Sequence, residues 1–287
     1  MEKHKIIWLA SYPKSGNTWF RAFISNLFSK SDDPVDINNF IGGPIFSAKE
    51  IFNTYSAVAS EELTYTEIDN VRPDIYNELT EEIVEDKFIK AHDAYTYLTD
   101  GRPIYPTQAS KGTIYIVRNP FDVVMSFAHH SNNSIEKTLN NMNRWFSFCE
   151  KINRFHNQLR QQLLNWSEHY KSWTEQKNIP VFILKYEDLK NDPFKYFSKA
   201  IEFSGYEFTE DEINTAIEKA SFSKLQEQEK EKGFFEKNPK SESFFRKGEN
   251  GSWREVLTNK QIEIIIDTHR EVMQELGYLD KDDKILV

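Results

Sequence analysis

Cysteine is almost absent from the sequence, since Cys149 is the only one among 287 residues. A lone cysteine cannot form an intramolecular disulfide, which excludes a disulfide-stapled fold and makes a reducing compartment the default expectation. Long apolar runs are missing too: no stretch approaches the roughly 20 apolar residues of a membrane span, and the run Ile6–Ala10 is too short for the core of a signal peptide. These absences predict a cytoplasmic protein without a membrane partner.

Positive charge is in deficit, with 36 Lys and Arg against 45 Asp and Glu and a net charge of −9. An acidic surface repels nucleic acid and anionic membranes, so neither is expected as a partner, and an anionic ligand requires a local basic pocket. Hydrophobic residues make up 39% and aromatic residues 14% of the chain, a composition that excludes disorder of the whole chain. We expect a single folded domain spanning residues 1–287.

Short apolar runs alternate with helical patterns along the chain. Ile6–Ala10 has the character of a buried parallel strand and is followed by a tight loop and a helix. The same order recurs after Thr113–Val117 and after Val181–Leu184, and Phe88–Ala91 is predicted as one more central strand. Because parallel strands need crossover connections, the pattern predicts an α/β fold with a doubly wound, mainly parallel central sheet flanked by helices.

Helical segments are predicted in three further places. Residues 194–203 have the pattern of a helix, Asn140–Gln176 that of long helical material, and Lys260–Leu276 that of a C-terminal helix stopped by Gly277. The polar stretch Lys224–Glu242 is the best candidate for a mobile lid.

A phosphate-binding loop is predicted at residues 12–19, which read Tyr-Pro-Lys-Ser-Gly-Asn-Thr-Trp. Gly16 lets the backbone approach a ligand, successive N–H groups at the start of the next helix form an anion site, and Lys14 adds a mobile charge. The alternative is an ordinary turn carrying a surface lysine. The loop is P-loop-like but is not a Walker A motif, because the lysine precedes the only glycine.

This loop resembles the Y-P-K-S-G-T-T-W loop of the cytosolic sulfotransferase family and differs from it only at Asn17. The resemblance implies a donor, 3′-phosphoadenosine 5′-phosphosulfate (PAPS), and a product, adenosine 3′,5′-bisphosphate (PAP). It also implies that the loop residues bind this donor: Lys14, Ser15, Gly16, Asn17, Thr18 and Trp19.

Two more segments resemble family motifs for the 3′-phosphate. Arg118 and Ser126 match the arginine and serine of R-N-P-x-D-x-x-x-S, and Arg246, Lys247 and Gly248 match the start of R-K-G-x-x-G-D-W. In the second motif Ser replaces the family Asp at position 252. Taken alone, the R-K-G sequence is typical of a solvated basic turn; its order and spacing after the two other motifs favour the binding function.

Four residues match family positions around the nucleoside. Trp19 stands where the family stacks the adenine, Phe222 matches the aromatic residue on its opposite face with Ser221 beside it, and Tyr186 matches a family tyrosine near the 3′-phosphate or adenine. Stacking on a base is worth roughly 1–3 kcal/mol. The alternative for the three aromatic residues is packing in the core.

The catalytic residues implied by the resemblance are His92, Lys90 and Lys14. The strand Phe88–Ala91 runs into His92 in a form similar to the family's K-T-H, whose histidine is the general base and whose lysine stabilises the transition state; Ala91 replaces the threonine. Lys14 is expected to neutralise the leaving phosphate. No metal is expected. His129 and His130 are adjacent on a predicted helix, so they point in different directions and make a poor chelate.

Two other functions stay open at this point. A nucleotide or metabolite kinase is disfavoured by the absence of a Walker lysine and by two basic motifs that it does not need. A catalytically silent nucleotide-binding protein is disfavoured because binding alone does not require a base at His92.

The acceptor is expected to be a small molecule, polar or cationic, with a hydroxyl or amine group. Candidate loops for its pocket are residues 38–58, 93–108, 129–145 and 227–245. They carry aromatic and acidic side chains: Phe46, Tyr95, Tyr97, Tyr105, Phe234, Phe235, Glu50, Asp93 and Asp100. The family dimer segment K-x-x-x-T-V-x-x-x-E is only half matched, by Arg254, Thr258, Asn259 and Glu263, so monomer and dimer both remain open.

Overall fold

The computed structural model describes residues 4–148, 157–239, 241–246, 248 and 250–287. Four strands of this part of the chain form a parallel sheet in the order β2-β1-β3-β6. A short antiparallel pair, β4 and β5, lies apart from it. The strand bounds are β1 Ile6–Ala10, β2 Lys87–Ala91, β3 Ser110–Val117, β4 Ser147–Phe148, β5 Gln161–Gln162 and β6 Val181–Lys185.

Helices connect the parallel strands and cover the sheet. No helix in the described ranges is both long enough and apolar enough to cross a membrane. The helices predicted at 194–203 and 260–276 are confirmed as α8 and α11. The helix bounds are α1 Asn17–Phe28, α2 Lys49–Tyr55, α3 Tyr65–Glu82, α4 Pro120–Ser131, α5 Ile135–Met142, α6 Trp166–Thr174, α7 Tyr186–Asn191, α8 Pro193–Phe203, α9 Glu210–Lys219, α10 Phe222–Lys232 and α11 Asn259–Glu275.

The first strand explains why the sheet needs helices on both faces. All five residues of β1 are buried, and because side chains alternate across a strand, they enter two cores. Trp8 belongs to one cluster, where its ring meets Phe46 and Tyr105 edge-on at 5.3 and 5.1 Å. Ile7 and Leu9 belong to the other. The sequence prediction of a doubly wound parallel sheet is confirmed.

Two predictions of local structure are wrong. In the described part of Asn140–Gln176 the long helical material is not found: α5 ends at Met142, α6 starts only at Trp166, and β4 and β5 pair between them. Residues 149–156 of this prediction lie outside the described residues. The strand predicted at Phe88–Ala91 exists as β2, but it stands at the end of the four-strand order. Its outer side pairs with no strand among the described residues, but it forms a bridge between Ile89 and Gly42 and accepts a hydrogen bond from the backbone N–H of Phe46 at the carbonyl of Lys90.

The predicted lid, Lys224–Glu242, begins inside α10 and continues as irregular chain. Side chains of α10 anchor it: Gln228 accepts a hydrogen bond from the backbone of Ile37, and Lys232 pairs with Asp36 at 2.9 Å. Its proposed movement remains a prediction.

Candidate functional site

The predicted site residues follow the carboxyl ends of all four parallel strands. The phosphate loop leaves β1 at residue 11, His92 follows β2, Arg118 follows β3 and Tyr186 follows β6. Parallel strands bring their carboxyl ends to one edge of the sheet, which is where ligands bind in doubly wound folds. The topology therefore assembles motifs that are far apart in sequence.

The phosphate loop holds a strained conformation. Lys14 has φ 71° and Gly16 has φ 110°, and a positive φ is uncommon for a residue with a side chain. Asn17, the first residue of α1, donates its side-chain amide to the carbonyl of Leu9 at 2.8 Å, so it fixes the turn from within. The start of α1 has neither a side-chain cap nor an acidic residue in its first turn, which leaves its backbone N–H groups to an external anion.

Aromatic contacts join the loop to the second and third motifs. A Cβ atom added at Gly16 would lie 2.6 Å from the Tyr186 ring, so only glycine allows this approach. The guanidinium of Arg118 lies 4.4 Å from the centroid of the same ring, and Trp19 meets it edge-on at 5.7 Å. The tyrosine thus links the 5′-phosphate loop to the arginine predicted for the 3′-phosphate.

The third motif packs on α10 in a similar way. Gly248 has φ 63°, and a Cβ atom there would lie 2.6 Å from the Phe222 ring. Gln226 belongs to none of the sequence motifs. Its side-chain amide donates hydrogen bonds to the carbonyls of Phe245 and Arg246 at 2.9 and 3.0 Å and so fixes the start of the third motif.

One cavity of about 1660 Å³ collects most of the predicted residues. Ser15 and Ser221 do not line it, and Lys247 lies outside the described residues. Ser15 is a buried residue of the loop, and its hydroxyl has no hydrogen-bond partner among the described residues. The predicted residues that line the cavity are Lys14, Gly16, Asn17, Thr18, Trp19, Lys90, His92, Arg118, Ser126, Tyr186, Phe222, Arg246 and Gly248.

The ring of His92 is oriented by the loop. Its Nδ1 lies 2.8 Å from the carbonyl oxygen of Ser11 and 3.3 Å from the hydroxyl of the same residue. A carbonyl can only accept, so Nδ1 carries the proton and Nε2 keeps its lone pair. Burial and the ammonium of Lys90 hold the pKa of His92 well below 6.5, so the ring is neutral at neutral pH.

A second histidine fixes the backbone at this position. Tyr115 donates its hydroxyl to Nδ1 of His169 at 2.7 Å, and Nε2 of His169 donates to the carbonyl of His92 at 3.0 Å. Burial lowers the pKa of His169 to about 4, so it stays neutral and keeps this direction of donation. The hydrogen bonds from Tyr115 through His169 thus fix the backbone of His92, the predicted base.

Lys14 lies among aromatic and cationic groups. Its ammonium is 3.7 Å from the centroid of the Phe244 ring. Burial first, and then the charge of Lys90, lower its pKa to about 7. Burial and the neighbouring cation therefore disfavour the charged form of Lys14.

Two residues of the site have no place in the sequence motifs. Glu236 accepts hydrogen bonds from Lys90 Nζ at 2.8 Å and from Arg21 Nη1 at 2.6 Å, and all three line the cavity. Arg21 is buried and interrupts the apolar pattern of α1. A charged residue at such a position is the sequence signal that could have indicated a functional role for Arg21. Glu236 lies in a segment rich in charge and carries no comparable signal.

The predicted acceptor walls are largely wrong. Phe46, Tyr95, Tyr105 and Phe234 are core residues, because the segments that carry them fold onto the sheet. Asp93 is fully buried and pairs with Arg72 through both carboxylate oxygens, at 3.0 and 3.2 Å, so it faces no ligand. Asp100 is exposed and bound to Arg102.

Only Glu50 and Phe235 of the predicted acceptor residues line the cavity. They share this part of its wall with apolar, amide and charged side chains: Phe40, Ile45, Ala48, Lys49, Asn53, Glu61 and Gln158. Within the described ranges, no group of three or more His, Cys, Asp or Glu side chains is arranged to hold a metal ion.

Comparison with known proteins gives a consistent result. A family model described as a sulfotransferase domain matches residues 4–277. The chain is 27% identical over 278 residues to cytosolic sulfotransferase 13 of Arabidopsis thaliana, covering 92% of this chain and 75% of the relative. It is also 27% identical over 275 residues to flavonol 3-sulfotransferase of Flaveria bidentis, covering 90% of this chain and 78% of the relative.

Solved structures resemble the fold at lower identity. Mouse sulfotransferase SULT7A1 complexed with PAP aligns with a TM-score of 0.60 at 21% identity, covering 95% of this chain and 86% of that one. Retinol dehydratase in a complex with retinol and PAP aligns with a TM-score of 0.61 at 16% identity, covering 96% and 83%.

Proposed function

The chain belongs to the sulfotransferase domain family, and from that premise we propose that it transfers the sulfuryl group of PAPS to a hydroxyl or amine group of a small molecule. The observation that carries this proposal is the meeting of the phosphate loop, Arg118 and His92 at one cavity. The family match also disfavours the kinase that the sequence motifs had left open.

The donor carries a 5′-phosphosulfate and a 3′-phosphate, and the residues present fit both groups. The uncapped start of α1 and the ammonium of Lys14 suit the 5′ end. Arg118, which lies over the Tyr186 ring, lines the cavity with Ser126 and Arg246, and these three residues suit the 3′-phosphate. The aromatic residues Trp19 and Phe222 are the proposed contacts of the base.

In the proposed reaction the acceptor oxygen forms a bond to sulfur while the bond from sulfur to the 5′-phosphate oxygen breaks. PAP leaves with the electron pair of the broken bond, and the acceptor proton passes to Nε2 of His92. Support for this base comes from the hydrogen bond of Nδ1 to Ser11, which reserves Nε2 for the acceptor. Lys14 and Lys90 neutralise the charge that develops on the leaving phosphate and the sulfuryl oxygens.

We propose that the acceptor is polar or cationic. The α2 side of the cavity supports this, because Lys49 pairs with Glu61 at 3.0 Å while the neighbouring carboxylate of Glu50 is exposed. Amides of Asn53 and Gln158 add donors and acceptors there. High activity on simple phenols with none on hydroxylated cations contradicts this choice. The cytosolic sulfotransferase named above supports a cytoplasmic location as part of the proposal.

Thermal-shift titration followed by a turnover assay tests the proposal. PAP at 100 times its Kd should stabilise the protein by about 2.7 kcal/mol, whereas adenosine 5′-monophosphate, which lacks the 3′-phosphate, and ATP with Mg²⁺ should give much smaller shifts. PAP formation from PAPS is then measured with a panel of neutral, cationic and phenolic acceptors. Equal stabilisation by ATP, or no acceptor-dependent PAP formation with any acceptor, refutes the proposal.

A further inference from the structure

Glu236 is the acid at the centre of the cationic part of the cavity. Its two carboxylate oxygens are divided between Arg21 and Lys90, at 2.6 and 2.8 Å. The three side chains are only 3%, 16% and 14% exposed for Arg21, Glu236 and Lys90. Both cations hold the pKa of Glu236 well below its usual value despite its burial, so it is charged.

Lys90 donates a hydrogen bond to this carboxylate and lines the same cavity as His92. Alternate residues of a strand point to the same side, and both residues line the cavity. Burial lowers the pKa of Lys90, and Glu236 opposes that effect. An ammonium has three N–H donors; the contact with Glu236 uses one and leaves others for a sulfuryl oxygen.

The opposite end of the bridge is anchored in the fold. Arg21 lies on the buried side of α1, and its Nε donates to the carbonyl of Ile41 at 2.9 Å. The guanidinium of Arg21 is planar and donates hydrogen bonds both to Ile41 and to Glu236, so it has little freedom and restricts the position of the Glu236 carboxylate. Glu236 therefore connects Arg21 on α1 to Lys90 on β2.

Other contacts already hold the segment that carries Glu236. Glu229 accepts hydrogen bonds from the backbone N–H groups of Phe244 and Phe245, and Lys232 pairs with Asp36. Asn38 accepts from the backbone of Phe235 at 2.9 Å. A carboxylate aimed at the cavity cations is therefore not needed to attach the segment.

We propose that Glu236 is a positioning residue for sulfuryl transfer, which holds the ammonium of Lys90 at the reacting centre through its bridge to Arg21. The inference rests on the proposed function. Because Glu236 acts through Lys90, its effect belongs to the catalytic step and depends on that lysine being present.

A double-mutant cycle in turnover tests this role. With PAPS and acceptor saturating, Glu236→Gln should lower kcat about tenfold, the size of a lost charged hydrogen bond, while the Kd for PAP changes less than about twofold. In a Lys90→Met background the same substitution should lower kcat no further. Glu236→Asp keeps the charge with a shorter reach and should recover part of the loss.

The matched control is Lys232→Gln, which breaks an ion pair of the same segment away from the cavity. It should leave kcat at the wild-type value. If Glu236→Gln fails to fold, as unfolding of the purified variant would reveal, the cycle is run with Glu236→Asp, which retains the ion pairs in weakened form.

Turnover by the wild-type protein separates the two proposals. Acceptor-dependent PAP formation by wild type upholds the proposed function whatever the variants do. With wild type active, an unchanged kcat in Glu236→Gln, losses that multiply in the double variant, or an equal loss in Lys232→Gln overturns the role of Glu236 alone.

Discussion

The proposed contact of Lys14 with the donor phosphate predicts that donor binding depends on pH. In the free protein burial and then the charge of Lys90 lower the pKa of Lys14 from 10.5 to about 7. At pH 7, half of the Lys14 side chains are therefore neutral. A phosphate in contact with this ammonium favours the charged form and returns the pKa toward its usual value.

Binding of PAP should consequently take up a proton above pH 7. The protonated fraction of Lys14 in the free protein falls from about one half at pH 7 to about one hundredth at pH 9, which weakens binding about fiftyfold if bound Lys14 keeps its proton. Phosphate monoesters complete their second ionisation near pH 6, so the charge of PAP is constant over this range. The sign is fixed: affinity falls as pH rises.

Isothermal titration calorimetry with PAP at pH 7, 8 and 9 measures this effect. Repeating the titration at pH 8 in buffers with different ionisation enthalpies counts the protons taken up, and about one is expected. Lys14→Arg should bind with nearly constant affinity over this range, because a guanidinium stays protonated. Lys90→Met removes the second cause of the low Lys14 pKa, so the fall in affinity should move to higher pH.

A wild-type affinity that changes less than twofold between pH 7 and 9 refutes the reasoning. The same steep pH dependence in Lys14→Arg also refutes it, since another group would then be the one that titrates.

Three further substitutions probe the support of the site. Gly248→Ala places a methyl group 2.6 Å from the Phe222 ring and should weaken PAP binding about tenfold, or about 1.4 kcal/mol. The control is Gly233→Ala, because Gly233 also has a positive φ but has open space around it, and this variant should bind PAP normally. Equal effects of the two substitutions on the Kd for PAP would contradict the prediction. Arg72→Met leaves Asp93 buried without its cation and should cost about 3–5 kcal/mol of unfolding free energy in urea titrations; a loss below about 1 kcal/mol contradicts the importance of this pair. His169→Leu removes the N–H that holds the backbone of the predicted base and should lower kcat about tenfold while the Kd for PAP is unchanged; an unchanged kcat speaks against it.

The parallel sheet could be predicted because its signals are local. Ile6–Ala10 is a continuous apolar run followed by a turn and a helix, and the same order recurs after Thr113–Val117 and Val181–Leu184. Asn140–Gln176 was predicted incorrectly because β4 and β5 pair across residues distant in sequence, and aromatic spacing does not reveal such pairing. Asn165 with Glu168 forms a capping box, the local signal that α6 begins there.

The site divides in the same way. Lys14, His92 and Arg118 belong to short motifs at strand ends, so sequence and topology together indicate that they meet. Glu236 pairs with Arg21, which lies 215 positions away in sequence. No local sequence pattern predicts an ion pair between residues so far apart. The acceptor walls were also misjudged because aromatic residues in loops serve the core equally well.

His92→Ala provides the most direct test of the central claim that this cavity transfers a sulfuryl group with His92 as the base. PAP formation from PAPS is measured with the best acceptor, beside the Kd for PAP of the same purified variant. Turnover should fall by about 10²–10⁴-fold while the Kd for PAP stays within about twofold of wild type. Near wild-type turnover in His92→Ala would contradict it.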